Sequence, residues 1–251
     1  MEREGFYRRV LRSLLDDGLV ERDWRILVVA GGEADRAAFA DTGFTSVLVT
    51  NLEPGPGEER QDAEQLSYDD DSFDLAVVSA GLHHCASPHR AVLELYRVAR
   101  RGILALEARD SALMRLAQRA GIVDEYELTA VAAHDFRAGG VRNTATPNYV
   151  YRWTEREVEK TIASAAPHAR HRFVWFRELE LPVSVLEASG RGVFRYAAAP
   201  LRLLTKVFPR QANLFAFAVF KDGLQPWMRD ESTPDENAIR ARLGQPPLDG
   251  K

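Results

Sequence analysis

Titratable and small residues crowd one stretch of this chain, Asp62 to His84, which reads DAEQLSYDDDSFDLAVVSAGLHH. Asp62, Ala63 and Glu64 open it as an acidic turn, and His83 and His84 close it with imidazoles that can exchange a proton near neutral pH. Between them, the run Phe73 to Ser79 contains Leu75, Ala76, Val77 and Val78 without polar alternation, as expected of a parallel strand covered on both faces. Such strands offer ligands their carboxyl ends, which here carry Ser79, Ala80 and Gly81. An acidic turn, a buried strand and a strand-end loop in this order suit a nucleoside-binding α/β enzyme.

Other apolar runs supply the elements that must hold this stretch. Phe6, Tyr7, Val10, Leu11, Leu14 and Leu15 recur at helical spacing, predicting an amphipathic first helix. Strands are predicted at 25–29, 46–50, 103–107, 171–179 and 213–221, and helical patterns at 94–99 and 111–120. Thr154 and Glu157 have capping-box spacing, which starts another helix. Near the end, Thr233, Pro234 and Glu236 supply cap, first-turn and capping-box residues ahead of Gly244. Strands alternating with helices favour a doubly wound sheet.

The organisation expected is one domain over residues 1–223, with insertions near 121–151 and 182–210, followed by a polar, proline-rich tail at 224–251. The 251 residues are 45% apolar and 28% charged, an ordinary globular balance. A net charge of −4 without a basic block argues against a nucleic-acid partner. The N-terminus lacks a signal-like apolar core and no segment has the roughly 20 apolar residues of a transmembrane helix. Cys85 is the only cysteine, so a disulfide within the chain is ruled out, and a cytoplasmic setting is the default. No metal is expected, because adjacent His83 and His84 on an extended backbone would point to opposite sides.

Over Asp62 to Glu107 the chain resembles the class I S-adenosylmethionine-dependent methyltransferases, in particular the small-molecule, methyltransferase type 11-like group. Members of that group carry D-A-E-x-L-P-F-x-D-x-S-F-D, then a hydrophobic strand and L-H-H. The resemblance implies a Rossmann-like seven-stranded methyltransferase sheet, mostly parallel with an antiparallel last strand, and helices on both faces. It also implies S-adenosylmethionine as cofactor and a small-molecule acceptor. Asp62 would accept a hydrogen bond from the adenine amine, with Ala63 and Glu64 offering backbone contacts. Ser79, Ala80 and Gly81 would border the cofactor, and His84 matches a histidine that recurs in such sequences, making it the candidate catalytic base.

The first loop departs from the family pattern. Where the family has an acid and then G-x-G-x-G, this chain reads VVAGGEAD, with Val28 at the acidic position, Ala30 and Ala34 at two glycine positions, and Gly32 at the middle one. Ala30, Gly31 and Gly32 are the cofactor-contacting candidates here. Alanine serves where φ is negative but is strained where φ is positive. Asn51, followed by Leu52, stands where the family places a ribose-binding acid, and Glu53 could supply a carboxylate. Simpler roles compete throughout: a ligand-free glycine turn, a turn-forming Asn51, and a solvated acidic surface at Asp62.

His134, Tyr149, Tyr151 and Arg152 are candidates for the acceptor pocket. The mix of apolar and basic side chains in 182–210 suits cover for an apolar acceptor or contact with an anionic lipid surface, with core packing and homodimerisation the commoner explanations. The preferred reading is methyl transfer to a small molecule of unknown identity. The alternatives are a nucleotide-dependent oxidoreductase, disfavoured because AGGEAD lacks the dinucleotide fingerprint, and a catalytically inactive methyltransferase-like scaffold.

Overall fold

Two adjacent strands, β1 (Arg25–Val29) and β4 (Phe73–Ser79), form the centre of the sheet, and their side chains explain the unbroken apolar runs. Ile26, Val28, Leu75 and Val77 pack into the hydrophobic cluster on one face, while Leu27, Val29, Ala76 and Val78 pack into the cluster on the other. Alternate residues of a strand point to opposite faces, so the middle of a strand covered on both sides is apolar throughout, whereas Asp74 near the start of β4 is paired with Arg100 and Arg101.

The computed structural model of the chain describes residues 2–181 and 198–248. Its remaining strands are β2 (Ser46–Asn51), β3 (Glu59–Arg60), β5 (Ala99–Ala108), β6 (Ala169–Glu178) and β7 (Leu214–Leu224). The sheet has seven strands in the order β3-β2-β1-β4-β5-β7-β6. β7 runs antiparallel to both β5 and β6, and the other pairings are parallel. This is the mostly parallel arrangement with an antiparallel final strand that the resemblance implied.

Helices α1 (Glu2–Asp16) and α2 (Glu33–Thr42) cover one face, with Phe6, Val10, Leu11, Leu14 and Phe39 in its cluster. On the other face lie α3 (Pro88–Val98) and α6 (Glu155–Ala165), which bury Ala91, Val92, Leu95, Val158 and Ile162. Pro88 sits in the first turn of α3, where its missing N–H costs nothing. Thr154 caps α6, its hydroxyl accepting from the Glu157 N–H at 3.3 Å.

Between β5 and α6 come α4 (Ala112–Arg119), α5 (Leu128–Ala133) and a 3-10 turn at Val141–Asn143. The two ends of the segment meet where Tyr126 bridges to Tyr149 and the Val150 N–H donates to the Glu125 carbonyl. Near the other end of the chain lie α7 (Ala198–Val207) and α8 (Glu236–Arg242).

Several local expectations need correction. The helix predicted to reach Ala99 ends at Val98, and β5 begins at Ala99, well ahead of Ile103. The tail helix is capped by Asp235, whose carboxylate accepts from the Ala238 N–H at 3.0 Å, rather than by Thr233. Of the segment 182–210, residues 182–197 lie outside the described residues. No helix among the described residues is long and apolar enough to cross a membrane.

Candidate functional site

The carboxyl ends of β1, β2 and β4 open into a cavity of about 420 Å³, a size within the usual small-molecule range. Ala30, Asn51, Leu52, Asp62, Ala63, Glu64, Ala80, Gly81 and His84 line it, together with Glu53. The segment between β5 and α6 roofs it with Ala130, His134, Gly139, Arg142 and Asn143. Gly31, Gly32 and Ser79 are not among the lining residues.

Close packing accounts for two glycines at the strand ends. A Cβ on Gly31 would lie 2.6 Å from Val28 Cγ1, and one on Gly81 would lie 2.7 Å from Ala30 Cβ. Ala30 and Ala80 both adopt left-handed backbone, with φ of 52° and 53°. Thus Ala30 is the strained case: it takes a conformation that glycine adopts freely, at a cost of about 1–2 kcal/mol. Asn51 holds this loop, its Nδ2 donating to the Gly31 carbonyl at 2.9 Å. The Gly32 N–H donates to Asp35 Oδ2 at the start of α2.

The acidic turn is ordered from both sides. Asp62 Oδ1 accepts from the Glu64 N–H at 2.9 Å, and Asp62 Oδ2 accepts from Arg142 Nη2 at 2.7 Å. The buried Glu64 carboxylate accepts the backbone N–H groups of Ala86 and Ser87 and one hydrogen bond from Arg142. It therefore fixes the chain after the histidines, and only its backbone is left for a cofactor.

His83 and His84 lie on a 3-10 turn, Leu82–His84, rather than on extended backbone. Their ring centroids are 4.5 Å apart, so the expectation that they diverge is wrong. The turn is pinned by Glu107 at the end of β5, whose Oε1 accepts the Leu82 N–H at 2.8 Å and whose Oε2 lies 3.3 Å from His83 Nδ1. Glu127 approaches from the roof, its Oε2 3.4 Å from His83 Nε2 and 3.5 Å from His84 Nε2. Burial pulls the His83 pKa down, but hydrogen bonding and charge from Glu107 and Glu127 outweigh it and push it to about 9. Glu127, bonded to His83, falls to about 2 despite partial burial. Burial and the adjacent His83 charge hold His84 below the ordinary histidine range, which favours the neutral ring.

The remaining candidates divide between two places. His134 lines the first cavity, with Nδ1 2.8 Å from the Ala130 carbonyl. Tyr149, Tyr151 and Arg152 instead line a second cavity of about 420 Å³ together with Asp110, Arg115, Glu125 and Glu157. Sequence reasoning passed over Glu107, Glu127, Arg142 and Asn148. A carboxylate ending the apolar run ILALE was a visible signal for Glu107; the other three reach the site only through folding of the roof.

The arrangement fits a nucleoside cofactor: an acid and an amide at neighbouring strand ends, an alanine and glycine floor, and room for one small molecule. Residues 50–106 match the family described as methyltransferase domain. Among curated proteins none matches the chain. Of solved structures, the YcgJ protein of Bacillus subtilis is similar at 13% identity and a TM-score of 0.50, with 84% of this chain and 97% of that one covered. A Mesorhizobium loti S-adenosylmethionine-dependent methyltransferase is 15% identical with a TM-score of 0.49, over 84% and 96% of the two chains. A Burkholderia thailandensis 1,6-didemethyltoxoflavin-N1-methyltransferase is 14% identical with a TM-score of 0.48, over 86% and 76%. The first of these likenesses bears on fold alone, and it agrees with the sheet described above. Residues 50–106 thus match a methyltransferase domain, and the chain around them folds into the seven-stranded sheet that the resemblance implied.

Proposed function

We propose that the protein methylates a small molecule of partly apolar character, which enters beside the roof segment. The cavity at the ends of β1, β2 and β4 carries this reading, because it gathers Asn51, Asp62, Ala80, Gly81 and His84 in one place. S-adenosylmethionine supplies a methyl group already activated on a sulfonium, so the protein's task is to position and desolvate the acceptor. Asn51 has its amide oxygen available for a ribose hydroxyl, and Asp62 with the Ala63 backbone would receive adenine. Ala30 and Gly81 form a close floor for the methionine part. His84, neutral and lining the cavity, is the group able to take a proton from an oxygen or nitrogen acceptor.

The apolar character of the acceptor rests on α7 and the residue after it, which expose Leu203, Val207 and Phe208. The turn that follows, Pro209–Gln211, packs on α4, where Gln211 Oε1 accepts the Leu113 N–H. Arg115, Gln118 and Arg119 of α4 line the second cavity. A homodimer would cover the same exposed face, and light scattering separates the two uses.

Calorimetry with S-adenosylmethionine and S-adenosylhomocysteine tests the reading. Micromolar binding is expected, and Asp62→Ala should cost about 1–3 kcal/mol of it by removing a hydrogen-bond acceptor. No heat at millimolar ligand would leave a methyltransferase-like scaffold instead.

A further inference from the structure

His83, His84 and Glu127 meet in a way that methyl transfer by itself does not require. We propose that these three residues bind one divalent transition-metal ion, for which zinc is the best match. Each contributes one donor atom, and the three donors lie within 4.8 Å of one another. In a tetrahedral zinc site with bonds of about 2.0–2.1 Å, neighbouring ligand atoms stand about 3.3–3.4 Å apart. Glu127 Oε2 is 3.4 Å from His83 Nε2 and 3.5 Å from His84 Nε2, so two edges of such a site already have the right length. Two histidines and one glutamate also form a known three-ligand zinc set that keeps a fourth position open.

The atoms behind the ligands strengthen the case. A metal-binding histidine needs its other ring nitrogen held by an acceptor, which fixes the ring and directs the free lone pair at the ion. Glu107 Oε2, 3.3 Å from His83 Nδ1, does this for His83 and leaves Nε2 facing Glu127. For His84 the corresponding group is Asn148, which is fully buried and has an Oδ1 without a hydrogen-bond partner. Its Nδ2 is 2.6 Å from His84 Nδ1 and 3.2 Å from Glu127 Oε2. A half-turn of the carboxamide would place the orphaned oxygen where it accepts the His84 Nδ1–H. The ion would offset the Glu127 charge that the amide nitrogen now meets.

His84 lines the cofactor cavity, so the open position would adjoin the space assigned to the reacting groups. An acceptor bearing a hydroxyl or thiol able to ligate the ion is the class this favours. The inference deepens the methyl-transfer reading and replaces one part of it: an Nε2 that binds a metal cannot also serve as the base.

Titration of metal-stripped protein with zinc chloride or cobalt chloride, without cofactor, tests the proposal. Calorimetry should give one ion per chain, and cobalt should produce the strong visible absorption of a four-coordinate site. Glu127→Gln should abolish that absorption, and Glu107→Gln should weaken binding about 10- to 100-fold. Should either variant fail to fold, nuclear magnetic resonance of the unaltered protein gives a second reading, in which zinc must shift the ring signals of both His83 and His84. No binding, binding unchanged by Glu127→Gln, or ring signals unmoved at saturating zinc overturns the proposal. Zinc bound in a protein that ignores S-adenosylhomocysteine would sink the methyl-transfer reading and leave the metal site standing.

Discussion

Arg142 Nη2 lies 2.7 Å from Asp62 Oδ2, joining the roof of the cavity to the acidic turn beneath it. Its Nη1 also reaches Glu64 Oε2 at 3.0 Å. The guanidinium thus occupies the carboxylate assigned to adenine, and the nucleoside must share that oxygen or displace the arginine. Arg142 itself has left-handed backbone, φ 51°, so its placement works against local preference.

Removing this contact should free Asp62. Arg142→Ala is expected to tighten S-adenosylhomocysteine binding a few-fold by calorimetry and to speed proteolysis within residues 121–151. Weaker binding would show that the arginine closes the roof over the bound nucleoside instead of competing with it.

The contact between Ala30 and Gly81 makes a two-residue test of the strand-end floor. Gly81→Ala would bring a Cβ to 2.7 Å from Ala30 Cβ and 2.9 Å from Val78 Cγ2, and should cost about 1–3 kcal/mol by overpacking. Ala30→Gly relieves left-handed strain of about 1–2 kcal/mol against a glycine entropy cost of about 0.5–1, a small net gain. Urea unfolding of the double variant should recover part of the Gly81→Ala loss, since one of the two colliding methyls is gone. Strict additivity would mean that the residues do not touch.

Glu155 should matter to folding more than to chemistry. It accepts hydrogen bonds from Arg109 at 2.5 Å and Arg177 at 2.7 Å, and Arg109 is only 4% exposed. Glu155→Ala strands the Arg109 charge and is expected to cost about 3–5 kcal/mol. A loss below 1 kcal/mol in chemical denaturation would mean that water or the carbonyl groups around Arg109 take over its pairing.

Acid should weaken the fold through Asp74. Burial alone would raise its pKa, but hydrogen bonds from Arg100, the Arg25 N–H and Arg101 hold it below the ordinary carboxylate value. A depressed folded pKa contributes stability above the unfolded value, about 3.9, that is lost as pH falls through the folded one. Thermal unfolding from pH 6 to below pH 3 should show a steeper decline for the native chain than for Asp74→Asn. Parallel curves would assign the acid sensitivity elsewhere.

The chain's local pattern was enough for the sheet, and it named residues that the fold gathers around one cavity. Unbroken apolar runs at β1 and β4 can be satisfied only by a sheet covered on both faces, and that pattern is local. Asn51 and Asp62 were candidates because the resemblance implied them, while Ala80 and Gly81 also follow the apolar run that marks the end of β4. Tertiary structure decided the histidine cluster. Whether His83 and His84 diverge depends on backbone form, and Glu107 imposes the 3-10 turn by accepting the Leu82 N–H from 25 residues away. Glu127, Arg142 and Asn148 belong to a segment without strong periodicity, so nothing nearby in the chain marks where they will lie. Contacts such as Arg142 with Asp62, 80 residues apart, form only once the sheet has brought the ends of its strands together and given the roof a surface on which to pack.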